Sequence, residues 1–205
     1  MWSHELYLTI DMANLYFKYG TMNSGKSMQL IAFAHNLKIQ GIPHLVMKSA
    51  IDTREAAAVI HSRPIGEIPC EFIAKDDTII YTPGNENKVV PEWILVDEAQ
   101  FLSAEQIDRL AEIVDMYNIN VVCYGLRSDF KTHLFEGSKR LFEIADYCVE
   151  IESICAKNRK NIINARIDKD GNIVTNGAQV KVGAEDLYRG MSRYEYMRLT
   201  HKYTE

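Results

Sequence analysis

Short apolar runs alternate with longer amphipathic stretches through the first two thirds of the chain. The apolar runs predict buried strands at residues 15–19, 44–48, 93–97, 120–124 and 147–151. The stretches between them predict helices at residues 27–40, 104–117 and 136–144. Gly41 and Pro43 mark the end of the first helix, and Ser103 is a candidate N-cap of the second. Short strands separated by helices indicate an α/β protein with a parallel sheet covered on both faces.

The pattern changes after Ile151. Residues 152–205 are more polar, and Asp170-Gly171-Asn172 and Asn176-Gly177 are turn signals. Residues 164–182 therefore predict a hairpin-like loop. At the other end, Met12 shortly precedes the first predicted strand. We expect an N-terminal extension at residues 1–11, an α/β domain at residues 12–151 and a small C-terminal lobe at residues 152–205.

Composition narrows the choice of partners. The 205 residues carry a formal net charge of -5, without the basic excess typical of proteins that coat nucleic acid. No apolar run approaches the length of a membrane span. Four scattered cysteines predict buried free thiols in a reducing compartment: Cys70, Cys123, Cys148 and Cys155. We expect a cytoplasmic protein that binds small molecules, with no nucleic-acid or membrane partner.

One motif carries a specific chemistry. The sequence Gly20-Thr21-Met22-Asn23-Ser24-Gly25-Lys26-Ser27, here called the phosphate loop, matches G-x-x-x-x-G-K-[ST] at every position. It follows a predicted strand and opens a predicted helix, so its backbone N–H groups can surround a phosphate at the helix N-terminus. All eight residues are predicted to bind ATP. Lys26 would reach the β and γ phosphates, and Ser27 would offer its hydroxyl to Mg²⁺. The alternative is a chance glycine turn before a helix.

Two carboxylates follow a later apolar strand. Asp97 is predicted to hold Mg²⁺, through water because Mg²⁺ keeps much of its hydration shell. Glu98 is a candidate general base for the group that attacks the γ-phosphate. The alternative is a solvated strand end with two surface acids.

Five segments together resemble the type II thymidine kinases. They are residues 20–27, 52–54 (DTR), 97–101 (DEAQF), 124–130 (YGLRSDF) and 180–188 (VKVGAEDLY). They occur in the family's order, with compatible spacing, and the resemblance runs from about Leu15 to Tyr196. It implies a P-loop (RecA-like) parallel sheet flanked by helices, with a small C-terminal lasso-type lobe. The activity it implies is transfer of the ATP γ-phosphate to the 5′-hydroxyl of thymidine, or of deoxyuridine, giving dTMP in nucleotide salvage.

The resemblance also implies roles for single residues. Glu98 resembles the family's catalytic base. On the ATP side the resemblance points to Asp52, Arg54, Asp97 and Gln100. For the nucleoside pocket it points to Met22, Phe101, Leu126, Phe130, Val182 and Tyr188. Taken without the family, Phe101, Leu126 and Phe130 could equally be core residues.

The family's structural zinc site is mostly replaced in this sequence. Relatives usually bind zinc in the small lobe with two pairs of Cys or His. Cys155 remains from the first pair, but Lys157 or Asn158 stands in the place of its partner. The second pair reads Ser192-Arg193-Tyr194-Glu195. Because a structural zinc needs four N or S ligands, we predict no structural zinc here.

Assembly and regulation are implied by the family alone. The resemblance implies a homotetramer that uses Mg·ATP, with dTTP as a candidate feedback inhibitor. Two alternatives from other classes stay open: a nucleotide-binding regulator derived from a kinase, and a P-loop ATPase motor whose glutamate activates water. The acidic net charge counts against the motor, and the intact Asp97 and Glu98 count against the regulator.

Overall fold

The computed structural model describes residues 12–50, 58–62, 64–74, 89–154, 159–179 and 188–200. In these ranges the strands are β1 (Leu15–Gly20), β2 (His44–Ser49), β3 (Val59–Ser62), β4 (Gly66–Pro69), β5 (Glu71–Ile73), β6 (Trp93–Asp97), β7 (Asn120–Leu126), β8 (Tyr147–Ile151), β9 (Ile163–Ile167), β10 (Ile173–Val174) and β11 (Tyr188–Met191). The helices are α1 (Lys26–Ile39), α2 (Ala104–Tyr117), α3 (Glu136–Ile144) and α4 (Arg193–Leu199), with a 3₁₀ turn at Ala99–Phe101. None of the helices in these ranges is long and apolar enough to cross a lipid bilayer.

A central parallel sheet organises the larger domain. Within the described residues its six strands run in the order β5-β2-β6-β7-β1-β8. Because the strands are parallel, the carboxyl ends of β1, β6 and β7 meet at one edge. Gly20 pairs with Leu126 in the register of β1 and β7, and Asp97 ends the neighbouring strand β6. This edge is where open α/β sheets bind their ligands.

Helices cover both faces of the sheet, as the apolar pattern predicts. On one face α1 packs Leu30, Ile31, Ala34 and Leu37 against Leu95, Val122 and Tyr124. On the other face α2 packs Ile107, Leu110, Ile113 and Val114 against strand residues that include Leu15, Phe17 and Ile94. Ser103 caps α2 in a capping box with Gln106, so its predicted role is confirmed. The position of the phosphate loop is therefore fixed by a core on each side of the sheet.

The cysteine prediction is right at one position and wrong at another. Cys123 lies inside β7, where burial raises the pKa of its thiol. Cys148 is exposed, because β8 is an edge strand of the central sheet. Both are free thiols, and Cys70, which is half-buried, likewise forms no disulfide within the described residues. Cys155 lies outside the described residues.

The small lobe contains a sheet of its own. In the described part of the lobe, β9 is the middle strand of an antiparallel β10-β9-β11 sheet. The apolar face of this sheet packs Ile163, Ala165 and Met191 against Tyr196 of α4. The predicted hairpin-like loop is correct for the turn between β9 and β10. It is wrong for β9 itself, which is a full strand with a hydrogen-bonded neighbour on each side.

Candidate active site

The phosphate loop turns sharply between β1 and α1. Asn23 has φ 61° and Gly25 has φ 90°, both in the left-handed region. A Cβ atom on Gly20 would lie 2.4 Å from Ser24 Oγ and 2.7 Å from the carbonyl oxygen of Ile151. Glycine at position 20 therefore allows the loop to close tightly against the end of β8.

The polar side chains of the loop lie at the sheet edge. The Nζ of Lys26 is buried and donates a hydrogen bond to the carbonyl of Thr21 at 2.8 Å. Ser27 Oγ donates to Asp97 Oδ2 at 3.1 Å, which joins the loop to the end of β6. Ser24 Oγ is buried and finds no hydrogen-bond partner among the described residues. A buried hydroxyl without a partner is costly, so a ligand such as a phosphate oxygen would satisfy it.

Asp97 is the buried acid of the site. Its side chain is 3% exposed. Burial, and after it the charge of Glu98, raises the pKa of Asp97 to about 7, against the opposing effects of a hydrogen bond with the Glu98 backbone, of Lys26 and of Ser27. A divalent cation beside the Ser27–Asp97 pair would favour the ionised carboxylate.

Glu98 follows β6 in an unusual backbone conformation. Its φ of 52° and ψ of 36° are left-handed, which costs a non-glycine residue on the order of 1–3 kcal/mol. In a continued strand, the adjacent side chains of Asp97 and Glu98 would point to opposite faces of the sheet. The left-handed turn at Glu98 ends the strand, so this restriction no longer applies. Gln100 Nε2 donates to Glu98 Oε2 at 2.5 Å. The carboxylate is thus held beside Asp97 at the edge that carries the phosphate loop.

The end of β7 forms the next part of the edge. The backbone N–H of Leu126 donates to Gln100 Oε1 at 3.0 Å, and its carbonyl accepts from Ser138 Oγ at 2.6 Å. The Phe101 ring packs edge-on against Phe135, with ring centroids 5.7 Å apart. Leu126 and Phe101 are both half-buried.

Arg166 of β9 lies between two predicted pocket residues. Its guanidinium is 4.7 Å from the centre of the Phe130 ring and 5.5 Å from that of Tyr188. Its NH1 also donates to the carbonyl of Ala178 at 3.2 Å. Phe130 is 1% exposed, so in this conformation it is covered by its neighbours. The structure brings Phe130 and Tyr188 to the same arginine.

Asn164, also on β9, links three segments. Its Oδ1 accepts the backbone N–H of Met22 at 2.8 Å, and its Nδ2 donates to the carbonyl of Ser128 at 2.9 Å. The side chain is 2% exposed. It connects the small lobe to the phosphate loop and to the segment after β7. Thr21 Oγ1 adds a second contact with the lobe, at 2.8 Å from Ser153 Oγ.

The structure gathers most of the predicted residues at one sheet edge. The phosphate loop, Asp97, Glu98 and Gln100 lie together, and the loop backbone at Met22 reaches β9. Asp52, Arg54 and Val182 lie outside the described residues, and the individual roles of all these residues stay predictions.

Sequence reasoning missed Asn164, Ser138 and Gly125. The alternation of apolar Ile163 and Ala165 with polar Asn164 and Arg166 was the signal that could have identified β9 as a strand with a polar face toward the site.

The residues at the family's zinc positions have other contacts. Ser192 Oγ accepts the backbone N–H of Glu195 as the N-cap of α4, and Glu195 pairs with Arg189 at 2.6 Å. In the described ranges no group of three or more His, Cys, Asp or Glu could hold a metal ion. Because Cys155, Lys157 and Asn158 lie outside those ranges, the absence of zinc stays a prediction.

The fold and the site define a class. A phosphate loop between a strand and a helix, a Ser27–Asp97 pair beside it and a carboxylate at Glu98 are the features of a P-loop nucleotide-binding α/β protein.

Comparisons with known proteins give the family. The family model described as thymidine kinase matches residues 13–196. The thymidine kinase of Enterobacteria phage T4 is 43% identical over 194 residues, which cover 93% of this chain and 99% of the phage protein. That of Haemophilus influenzae (strain 86-028NP) is 40% identical over 187 residues, or 90% of this chain and 96% of the relative. That of Streptococcus pyogenes serotype M28 is 39% identical over 185 residues, or 90% and 97%. The chain belongs to the thymidine kinase family.

Proposed function

We propose that this chain transfers the γ-phosphate of ATP to the 5′-hydroxyl of thymidine, giving dTMP in nucleotide salvage. The observation that carries the proposal is the position of Glu98. Its carboxylate is held by Gln100 immediately after Asp97, at the sheet edge that also carries the phosphate loop. A base in this position can take a proton from a hydroxyl that attacks the γ-phosphate.

The loop residues fit Mg·ATP. Ser24 contributes a buried hydroxyl with no partner in the described chain, and Gly20 allows the loop that carries it to pack tightly against the end of β8. Ser27 and Asp97 offer the oxygen ligands that Mg²⁺ prefers, directly or through water. When bound, the cation neutralises charge on the phosphates.

The chain's own residues then have distinct tasks. Lys26 leaves the Thr21 carbonyl to reach phosphate oxygens, and Arg54 is expected to stabilise charge on the transferring group. Glu98 takes the 5′-hydroxyl proton and holds it on its carboxyl group. Positioning and charge stabilisation supply most of the catalysis in phosphoryl transfer.

The nucleoside would lie between the loop and the small lobe. The apolar walls implied by the family are Met22, Phe101, Leu126, Phe130, Val182 and Tyr188. A single methyl group in an apolar pocket contributes only about 1–3 kcal/mol, so we expect some phosphorylation of deoxyuridine as well.

We further propose a cytoplasmic homotetramer that responds to dTTP. Exposed apolar side chains on edge strand β8 support association, since Tyr147 is 51% and Val149 is 46% exposed. The free thiol of Cys123 supports a reducing compartment.

The direct test is a coupled assay that scans nucleosides with Mg·ATP. We expect thymidine-dependent ADP release, and we expect Glu98→Gln to lower kcat by roughly 10²–10⁴-fold with ATP binding retained. Glu105→Gln in the first turn of α2 is the matched control and should retain the wild-type rate. Near-wild-type turnover in Glu98→Gln contradicts the base assignment. Tight nucleotide binding without phosphorylation of any nucleoside would instead favour a regulator.

A further inference from the structure

Gln100 lies between the two halves of the proposed site. Its side chain is 2% exposed, and both ends of its amide are used. Nε2 donates to Glu98 Oε2 at 2.5 Å, and Oε1 accepts the backbone N–H of Leu126 at 3.0 Å. One side chain thus contacts both the carboxylate proposed as the base and the backbone of a proposed nucleoside wall.

Gly125 makes this arrangement possible. A Cβ at position 125 would lie 2.8 Å from Gln100 Oε1 and 3.1 Å from the backbone nitrogen of Gln100. Glycine is therefore required at position 125 for Gln100 to approach β7 this closely. Gly125 and Gln100 therefore pack against each other. They belong to two different segments of the family resemblance, residues 124–130 and 97–101.

The same chain of hydrogen bonds continues to α3. Leu126 receives a second bond at its carbonyl, from Ser138 Oγ at 2.6 Å, and Ser138 is fully buried. Leu126 is thus fixed at its N–H by Gln100 and at its carbonyl by Ser138. Only the first of these two bonds leads on to Glu98.

Glu98 needs such support. Its left-handed backbone is unfavourable for a residue with a side chain and persists where the surroundings over-determine it. Glu98 is the N-cap of the 3₁₀ turn that contains Gln100. The Gln100 amide therefore restrains the Glu98 carboxylate from within the same turn.

We propose that Gln100 is a positioning residue that holds the base and the nucleoside wall in a fixed relation. It does not touch the reacting atoms. Its amide is suited to this task because it has one donor for the Glu98 carboxylate and one acceptor for the Leu126 N–H. The proposal rests on the proposed function, since it assigns a task to Glu98 in that reaction.

The test is a double-mutant cycle of Gln100→Leu with Glu98→Gln. In the wild-type background we expect Gln100→Leu to lower kcat by roughly 10²-fold, because a small misplacement of a catalytic group has effects of that order. In the Glu98→Gln background the same change should lower kcat by less than about threefold, because no base remains to be positioned. Thymidine affinity, measured by calorimetry, should fall in both backgrounds because Leu126 loses its restraint.

Two further variants test separately the hydrogen bond of Gln100 to Glu98 and the restraint of Leu126. Gly125→Ala leaves Gln100 chemically intact but displaces its amide, so it should reproduce the loss in kcat. This variant replaces Gln100→Leu in the test if Gln100→Leu does not fold. Ser138→Ala frees the Leu126 carbonyl without touching Glu98. It should weaken thymidine binding while kcat stays within about threefold of the wild-type value.

A merely structural role predicts a different result. Equal losses of kcat in the two backgrounds, or unchanged kcat in both Gln100→Leu and Gly125→Ala, would overturn the Gln100 proposal while the wild-type chain still phosphorylates thymidine. A wild-type chain that does not phosphorylate thymidine contradicts the proposed function itself.

Discussion

At the scale of single residues, the site is built from side chains that join segments distant in sequence. Ser27 contacts Asp97, Asn164 contacts Met22, and Gln100 contacts Leu126. Each pair connects a residue of one strand end or loop with the neighbouring segment at the sheet edge. Replacing one such residue should therefore weaken the connection between its two segments.

Ser27 offers the sharpest test of cation binding. Its hydroxyl lies 3.1 Å from Asp97 Oδ2, and Mg²⁺ requires closely fixed oxygen ligands. Ser27→Ala should raise the Mg²⁺ concentration at half-maximal rate by roughly 10-fold or more. Ser27→Thr keeps the hydroxyl and should stay close to wild type. The measurement is a Mg²⁺ titration of the initial rate, and an unchanged titration in Ser27→Ala contradicts the role.

The sequence makes a more specific prediction for the phosphate end of the site than for the nucleoside end. Residues 20–27 form a contiguous motif with one physical purpose, so the pattern alone predicts their function. Gln100 and Asn164 act through partners 26 and 142 residues away in sequence. No local pattern predicts such contacts, because they depend on which strand ends the sheet order brings together.

At the scale of elements, the predicted strands and helices were those with strong apolar periodicity. The five predicted core strands and three predicted helices are present in the described residues, with ends shifted by up to two positions. The short strands β3, β4 and β5 escaped prediction because each is only three or four residues long and lacks an apolar run, and β4 and β5 are largely exposed. β9 escaped because its alternating stretch is only five residues long and adjoins the turn signals at Asp170-Gly171-Asn172.

Asn164 tests whether β9 fixes the small lobe to the larger domain. Asn164→Leu keeps the branched shape of the side chain but leaves the Met22 N–H and the Ser128 carbonyl without their partner. Leaving buried polar groups unpaired should lower the free energy of unfolding by about 1–3 kcal/mol. Urea unfolding measures this loss, and hydrogen exchange at the Met22 amide should become faster.

The matched control lies in the same lobe. Arg189→Ala removes the ion pair between Arg189 and Glu195. The Arg189 side chain is 56% exposed. The substitution should change stability by no more than about 0.5 kcal/mol. If Asn164→Leu behaves like this control and exchange at Met22 is unchanged, the side chain of Asn164 does not fix the lobe.

At the scale of the whole molecule, the predicted absence of the family's usual zinc leaves other contacts to stabilise the small lobe. Its described part has a small apolar cluster, the Asn164 bonds and the Thr21–Ser153 contact. We expect elemental analysis of the purified protein to find no stoichiometric zinc. We also expect EDTA to leave the nucleotide-free Tm unchanged. One zinc per chain, with a fall in Tm on chelation, would show the prediction to be wrong.

The proposed tetramer has an equally direct measurement. Light scattering should give four times the 23.5 kDa of one chain. Val149→Arg places a charge on the exposed face of β8 and should lower the mass if that face is an interface. Met116→Arg, at a 71% exposed position on α2, is the control and should keep the wild-type mass. A monomeric wild-type chain refutes the proposed assembly.

The order of strands in the central sheet also bears on synthesis by the ribosome. β1 carries the phosphate loop near the N-terminus, yet its two neighbours β7 and β8 come much later in the chain. The backbone N–H of Asn14 donates a hydrogen bond to Asn120 Oδ1, 106 residues later in the chain. At elongation rates of about 5–20 residues per second, β7 is synthesised roughly 5–20 s after β1, so β1 has no neighbouring strand during that time. During that interval an apolar strand is exposed to other nascent chains, so a chaperone that shields it should raise the yield of native protein.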